Sequence, residues 1–220
     1  MLIELVKIAG VAAAFLALFA LAELIHRKTD TETEITRKMV HVLGGIISVL
    51  FPFIFTNVWP VAVLAVLFVG IIWLSKKKGY LPSIHNIGRH TQGSYLYPMA
   101  ILLCFWVYIL NDNTLFFFIP VIILAISDPS AAFFGKLFPY GKYTFLGETK
   151  TIVGSLAFFF SAAVIVVICL HYERLLIVDN WLLIGCVSLF STLAEGLGRR
   201  GEDNIWIPIA VIAAMRLINF

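Results

Sequence analysis

The sequence TLFFFIPVIILAISDPSAAFFG, at residues 114–135, decides the fold class of this 220-residue chain. It carries a single charged residue, Asp128, in a run long enough to cross the hydrocarbon core of a bilayer as a helix. Backbone polar groups find no water in hydrocarbon, so they must be paired within the segment. We therefore predict a membrane-spanning helix at this position.

The composition extends this prediction to the whole chain. Hydrophobic residues make up 61% of the sequence, charged residues make up 13%, and the mean hydropathy is +0.98. Soluble domains carry about 25% charged residues, so the composition excludes a soluble enzyme, a disordered chain and a disulfide-rich secreted module. The net charge of +3 does not indicate nucleic acid binding, because the basic residues lie in short loops between apolar runs.

Apolar runs of similar length recur along the sequence. We predict an all-α, polytopic membrane protein with about eight transmembrane helices, forming a single transmembrane domain over residues 1–220. No internal repeat is visible, which disfavours a transporter built from two similar halves. The predicted spans are residues 2–25, 39–55, 58–75, 94–110, 114–135, 151–171, 181–197 and 204–220.

The first run has an alternative interpretation as a signal peptide, because Ala20-Leu21-Ala22 resembles a small-residue cleavage site. The residues before the run carry no net positive charge, however, and His26-Arg27-Lys28 follow it as a stop-transfer flank would. We favour an uncleaved first span. The three cysteines lie inside apolar runs without metal-site spacing and are expected to be packing residues; they are Cys104, Cys169 and Cys186.

The basic residues fall in alternate loops. By the positive-inside rule, the loops that hold them are cytoplasmic, and both termini lie on the outer side of the membrane. These four loops contain 13 of the 16 Lys and Arg residues: Arg27, Lys28, Arg37, Lys38, Lys76, Lys77, Lys78, Arg89, Lys136, Lys142, Lys150, Arg199 and Arg200.

Four carboxylates lie at or near the predicted cytoplasmic ends of spans: Asp128, Glu148, Glu195 and Asp203. An ionisable residue at the centre of a transmembrane helix costs about 2.5–3.5 kcal/mol, so each needs a partner or a function. Carboxylates with interleaved lysines at one membrane surface suit a divalent metal together with a phosphate-bearing ligand.

The densest polar segment follows Asp128. Because Pro129 comes next, we expect Asp128 to be the N-cap of a new helix, breaking the fifth span in two. That helix N-terminus, close to lysines, would attract phosphate. Asp128 could instead ligate Mg²⁺. A purely structural interpretation is also open, in which Asp128 caps a helix and the lysines only follow the positive-inside rule.

A second polar group is Arg37-Lys38-Met39-Val40-His41, followed by Gly44-Gly45. The spacing places Arg37, Lys38 and His41 on one helix face, where they could hold a phosphate or position a hydroxyl group. His41 could act as a general base, since the unperturbed pKa of histidine is about 6.5. The alternative is two snorkelling cations, a hydrogen-bonded histidine and a glycine notch for helix packing.

A third group runs from Glu195 to Asp203-Asn204 and Pro208. It contains a literal GxGxxG, but no strand precedes it, so we reject a dinucleotide site. Asp203 could simply cap the eighth span, whereas Glu195 ends an otherwise apolar one. The chain has no P-loop, GxSxG or HExxH motif. The loop from Lys76 to Gly93 holds Arg89 and two histidines, and we interpret its lysines as contacts to lipid headgroups.

These groups together resemble the family of CTP-dependent polyprenol and lipid-alcohol kinases, which includes dolichol kinase, phytol kinase and CTP-using diacylglycerol kinases. Four family elements occur in the right order across about 170 residues of the printed sequence. They are Arg37, Lys38 and His41; then Asp128, Ala131, Gly135 and Lys136; then Lys150, Thr151, Gly154 and Ser155; and finally Glu195, Asp203, Asn204 and Pro208. Thr151 stands where many members have Ser, and the short chain is closer to the phytol-kinase-like branch.

The resemblance implies transfer of the γ-phosphate of CTP to a lipid alcohol embedded in the bilayer, at the cytoplasmic face and with Mg²⁺. It implies catalytic roles for Asp128, Lys136, Lys150 and Glu195. It implies nucleotide contacts from Lys142, Glu148, Thr151, Gly154, Ser155 and Asn204. Arg37, Lys38 and His41 would bind the substrate or its phosphate, and Asp128, Glu195 and Asp203 would hold the metal ion.

Two other functions stay open. The middle element also resembles that of phosphatidate cytidylyltransferases, but the Glu of their usual Lys-Lys-Thr-x-Glu-Gly sequence is replaced here by Val153. A non-enzymatic transporter is the other alternative. It is disfavoured because the carboxylates gather at one membrane surface, whereas transport sites lie near the midplane.

Overall fold

The computed structural model describes residues 1–29, 31–85, 91–145, 147–175, 180–218 and 220. Arg89 and His90 lie outside the described residues. Within the described ranges the chain is helical apart from one small hairpin. The elements are α1 (Leu2–Thr29), α2 (Thr33–Val49), α3 (Phe51–Ile54), α4 (Val58–Lys78), α5 (Pro82–His85), α6 (Gly93–Asn111), α7 (Leu115–Ile122), a π-helical segment (Ile123–Ser127), α8 (Asp128–Leu137), β1 (Lys142–Phe145), β2 (Glu148–Thr151), α9 (Ile152–Tyr172), α10 (Trp181–Leu197) and α11 (Asp203–Leu217).

The described residues include six helical spans long and apolar enough to cross a membrane. This confirms the predicted all-α polytopic membrane fold. The predicted seventh and eighth spans correspond to the shorter helices α10 and α11, so the predicted number of about eight is approximate. The six long spans are Leu2–Thr29, Thr33–Ile54, Val58–Lys78, Gly93–Asn111, Leu115–Leu137 and Ile152–Tyr172.

The span Leu115–Leu137, which begins with the apolar sequence quoted above, is the centre of the bundle. Two-thirds of its apolar window (67%) is buried inside the protein, whereas no other long span exceeds 39%. Helix α7 contacts α2, α6, α9 and α11, and Phe117, Ile119 and Leu124 are fully buried. Asp128, at the end of this span, is therefore surrounded by protein rather than by lipid. The predicted packing role holds for Cys104 and Cys169, which are buried free thiols.

The predicted helix break at Asp128 is wrong. Ser127 and Asp128 both have right-handed helical backbone angles, and Asp128 is the first residue of α8 rather than its N-cap. The irregularity takes the form of the π-helical segment, which widens the helix without interrupting it. The span consequently crosses the bundle as one continuous helix, and Asp128 lies on its side.

Gly45 lets α2 approach the π-helical segment closely. A Cβ atom at this position would overlap the methyl group of Ala125 and would lie 2.8 Å from the hydroxyl oxygen of Tyr97. Gly44 and Gly45 are both buried. The glycine notch considered for α2 is therefore present, and it sets the distance between α2 and the central span.

Replacing Gly45 by alanine should destabilise the protein, because backbone of both helices must move to admit the methyl group. We expect Gly45→Ala to lower the free energy of unfolding by about 1–3 kcal/mol, measured as a lower melting temperature in detergent. The matched control is Gly70→Ala in α4, where an added Cβ meets no atom within 4 Å. Equal melting temperatures for the two variants would contradict the close approach.

The hairpin was not predicted, because residues 136–150 were assigned to a loop. Strands β1 and β2 are antiparallel, with Lys142 opposite Thr151 and Phe145 opposite Glu148. Strand β2 leads directly into α9, whose N-cap is Thr151, and the Thr151 hydroxyl accepts a hydrogen bond from the Gly154 N–H at 3.0 Å. The hairpin thereby positions the start of α9 beside α8.

The helix ends near the basic loops meet at one end of the bundle. This arrangement agrees with the alternation used to predict topology, while the assignment of that end to the cytoplasm stays a prediction. Contacts between these ends join the Ser83 N–H to Glu23 (3.3 Å), Lys136 to Glu34 (3.5 Å) and the Thr91 hydroxyl to the Arg200 carbonyl (3.0 Å).

Candidate functional site

A polar cavity of about 460 Å³ lies at this end of the bundle. The start of α2, the first two turns of α8, the hairpin with the start of α9, the end of α10 and the start of α11 form its walls. Residues from all four sequence elements line it together. The predicted site residues in the lining are Arg37, Lys38, His41, Asp128, Lys136, Glu148, Lys150, Thr151, Gly154, Ser155, Glu195, Asp203 and Asn204.

Lys142 is the one predicted site residue outside this lining. It is the first residue of β1 and is exposed. Several other lining residues are not predicted from the sequence, among them Glu34, Thr91 and Arg200. Glu34 precedes Lys38 by one helical turn. It was overlooked because the second span was predicted to begin at residue 39, whereas the helix begins at Thr33.

Two ion pairs connect α2 to α8 across the cavity. The ammonium group of Lys38 lies 3.8 Å from a carboxylate oxygen of Asp128, with side chains 24% and 18% exposed. The ammonium group of Lys136 lies 3.5 Å from a carboxylate oxygen of Glu34. Both pairs are loose enough for each charge to interact with an incoming ligand, so α2 and α8 each present one cation and one carboxylate to the cavity.

The tightest pair in the cavity is Lys150 with Glu195. The Lys150 ammonium group donates hydrogen bonds to the backbone carbonyl of Glu195 at 2.6 Å and to its carboxylate Oε1, and the side chains are only 19% and 6% exposed. Burial by itself lowers the pKa of Lys150, but the adjacent Glu195 carboxylate outweighs it and holds this pKa above its usual value. Lys150 is therefore a fixed positive charge in the cavity.

The carboxylates can be tested for their fit to a metal ion. No group of three His, Cys, Asp or Glu side chains among the described residues is arranged to hold a metal by itself. The charges of Asp128, Glu195 and Asp203 nevertheless interact with one another, and Glu195 Oε2 is buried with no hydrogen-bond partner in the described chain. Mg²⁺ commonly uses one or two carboxylates and takes its other ligands from phosphates and water. The donor set fits a metal that arrives with a phosphate ligand.

His41 is held in one orientation by the central span. In a π-turn the Leu124 carbonyl would pair with the N–H five residues later, but that residue is Pro129, which has none. His41 Nε2 lies 2.8 Å from this carbonyl and therefore donates a hydrogen bond to it. Tyr97 packs against the His41 ring at 4.3 Å between centroids. Any proton acceptance by the neutral ring must then occur at Nδ1.

The start of α9 also forms part of the cavity wall. Thr151 and Gly154 both line the cavity, and the first turn of a helix carries unpaired N–H groups that favour phosphate. Ser155 also lines it, and its hydroxyl lies 2.8 Å from that of Tyr143 in β1. The cavity is thus lined by a helix N-terminus at Thr151, whereas Asp128 lies within a continuous span.

The loop before α11 connects the remaining walls. The Arg200 carbonyl accepts hydrogen bonds from Gln92 N–H and from the Thr91 hydroxyl, while the Arg200 N–H donates to Glu148 at 3.3 Å. Gly201 has φ of +86°, and a Cβ there would overlap the backbone of Gly93. This loop therefore holds the hairpin, the start of α6 and the start of α11 together.

Removing the Lys150 charge should destabilise the protein, because it leaves Glu195 as an uncompensated buried carboxylate. We expect Lys150→Met to cost about 3–5 kcal/mol, and Lys150→Met with Glu195→Gln to recover part of that loss, measured by thermal unfolding in detergent. The control is Arg199→Met, which breaks an exposed pair whose side chains are 48% and 41% exposed. If the buried and exposed variants lose equal stability, Lys150 does not compensate a buried charge on Glu195.

Comparison with known proteins identifies one informative relative. The chain is 29% identical over 201 residues to a phytol kinase from Synechocystis sp., a match that covers 91% of this chain and 86% of the relative. No family model matches the chain. No solved structure matches it either.

Proposed function

We propose that this chain, which is similar to a phytol kinase over nearly its whole length, transfers the γ-phosphate of CTP to the hydroxyl group of a membrane lipid alcohol. The candidate acceptors are phytol, geranylgeraniol, a dolichol-type polyprenol and diacylglycerol. The similarity to a phytol kinase favours the prenols. The reaction would take place at the cytoplasmic face, with both termini on the other side of the membrane.

The observation that carries this proposal is the gathering of all four sequence elements around one cavity. Phosphoryl transfer depends mainly on positioning the reactants and on neutralising the charge of the transferred group. A cavity whose walls combine fixed cations with carboxylates suits these two requirements. The choice of CTP over other nucleotides rests on the family resemblance.

Each wall of the cavity has a role in this scheme. Lys136, Lys150 and the first turn of α9, with Thr151, Gly154 and Ser155, would bind the phosphates. Asp128, with Glu195 or Asp203, would hold Mg²⁺, which neutralises phosphate charge when it is bound. Glu148 and Asn204 would contact the nucleotide. Lys142 has no part in this version, because it lies outside the cavity lining.

The acceptor hydroxyl must lose its proton as it attacks the γ-phosphorus atom. Asp128 is the proposed acceptor of this proton, since its carboxylate lies at the cavity wall beside Lys38. His41 Nδ1 is the second candidate. Arg37 and Lys38 would stabilise the phosphate once it has moved to the lipid. The products are CDP and a lipid monophosphate.

The direct test is a product assay on the purified protein in detergent. CTP, ATP, GTP or UTP would be incubated with Mg²⁺ and a panel of prenols and diacylglycerol, and products identified by mass. We expect a lipid monophosphate and CDP, with no turnover after Mg²⁺ is chelated and recovery when it is restored. A CDP-lipid with pyrophosphate would identify a cytidylyltransferase instead, and no nucleotide consumption with any lipid would reject the kinase.

Asp128→Asn should abolish nearly all activity, because the amide can neither accept the proton nor provide the same ligand charge. The expected loss in kcat is about 10²–10⁴-fold, with membrane insertion retained. Asp112→Asn is the matched control. It makes the same substitution at an exposed residue that directly follows the C-terminal end of α6, in a left-handed conformation that asparagine tolerates. Substantial turnover by Asp128→Asn would remove this residue from the centre of the scheme.

A further inference from the structure

A second, apolar cavity adjoins the polar one. Helices α1, α2, α4 and α6 surround it, and its volume is about 100 Å³. Its lining is almost entirely hydrocarbon and aromatic, with contributions from Val61, Leu64 and Ala65 of α4 and Ile101 of α6. This cavity contains none of the carboxylates or lysines used in the proposed phosphoryl transfer.

Aromatic rings form the wall of this cavity that is contributed by α1 and α4. The ring centroids of Phe15 and Phe68 are 4.9 Å apart, and those of Phe19 and Phe68 are 5.9 Å apart in an edge-to-face arrangement. Phe19 and Phe68 are 7% and 6% exposed, so the rings face protein rather than bilayer. Such a wall favours hydrocarbon and offers nothing to a nucleotide or a phosphate.

The two cavities share three lining residues, Arg37, His41 and Asn204. All three are polar, and they belong to α2 and α11. Arg37 Nε is buried with no hydrogen-bond partner among the described residues, and Asn204 donates to the Gly93 carbonyl at 2.9 Å. A molecule with one polar end and an apolar body could therefore lie across this boundary, with its polar end toward Asp128.

We propose that the apolar cavity binds the part of the acceptor alcohol next to its hydroxyl group. This inference rests on the proposed kinase function. The hydroxyl would lie at Arg37, His41 and Asn204, and the first carbons of the chain would lie among Leu64, Phe68 and the neighbouring aromatic rings. An alcohol in this position presents its oxygen to the polar cavity and keeps its hydrocarbon away from the nucleotide.

The size of the cavity sets what it can recognise. An engineered apolar cavity of about 150 Å³ holds one benzene molecule, so a cavity of about 100 Å³ encloses at most about one five-carbon isoprenyl unit. The remainder of a prenol must leave between the helices and lie in the bilayer. Selectivity should therefore depend on the branching and unsaturation of the unit next to the hydroxyl, and depend little on chain length.

The first experiment fills the cavity. Leu64, which is 2% exposed and lines the cavity, would be replaced by Trp, and Leu67, which is 41% exposed on the same helix, would receive the same change as a control. We expect Leu64→Trp to raise the KM for geranylgeraniol about tenfold or more, with the KM for CTP unchanged, and Leu67→Trp to resemble the wild type. Equal acceptor KM values for both variants would overturn the proposal.

A second experiment uses the wild-type protein and so does not depend on the folding of a variant. A geranylgeraniol analogue with a diazirine in its first isoprenyl unit would be photolysed in the presence of the protein, and labelled peptides mapped by mass spectrometry. We expect labels on residues that line the cavity, such as Leu64 and Phe68 of α4 and Ile101 of α6, removed by excess geranylgeraniol. Labels confined to α8, α9 or α10, or placed on the exposed face of α4 at Val66 and Leu67, would overturn the proposal.

These outcomes separate the inference from the proposed function. If the wild type phosphorylates prenols but the label maps elsewhere, the kinase stands and the acceptor site is wrong. If the wild type phosphorylates no alcohol with any nucleotide, the kinase is rejected. In that case, displaceable labelling of α4 and α6 would still show that the cavity binds a prenol.

Discussion

A carboxylate on the most buried span of a membrane protein is the constraint on which this structure depends. The span from Leu115 to Leu137 has protein on most of its surface, and the Asp128 side chain is only 18% exposed, so protein groups as well as water must stabilise its charge. Residues of neighbouring elements compensate the negative charge of Asp128. Lys38 of α2 lies closest, and the charges of His41, Lys150 and Arg37 also act on it. Two other elements, α2 and β2, therefore bring polar groups to this one side chain.

The backbone around Asp128 also depends on residues of a neighbouring helix. Pro129 has no N–H group, and the π-helical segment shifts the backbone hydrogen bonds by one residue. The Leu124 carbonyl therefore accepts its hydrogen bond from His41. The close approach that this hydrogen bond requires is possible because Gly45 has no side chain. A helix irregularity, a histidine and a glycine are thus parts of one arrangement. Its effect is to hold α2 and the central span at a fixed distance beside the polar cavity.

The polar cavity and the apolar cavity meet beside α2. The polar cavity carries fixed charges, of which the Lys150 ammonium group is the most firmly held. The apolar cavity begins at the other side of Arg37, His41 and Asn204. A reaction between a nucleotide and a membrane alcohol needs this juxtaposition, because its two substrates prefer different solvents. In the proposed reaction, the same boundary would allow hydrocarbon and triphosphate to approach one another without either entering the other's environment.

The sequence by itself determined the membrane class, the order of the spans and most of the cavity residues. Apolar runs of about twenty residues leave few alternatives in a bilayer, and the positions of Asp128, Glu195 and Lys150 at span ends are visible in the chain. The sequence could not place Glu34 or Arg200 in the cavity, exclude Lys142 from it, or show the hairpin. Those outcomes depend on contacts between residues far apart in the chain. Local preference suggested an N-cap at Asp128, but tertiary packing keeps the span continuous, because His41 supplies the hydrogen bond that Pro129 cannot. Only the folded bundle decided that the cap belongs to Thr151 and that an apolar cavity opens beside the charges.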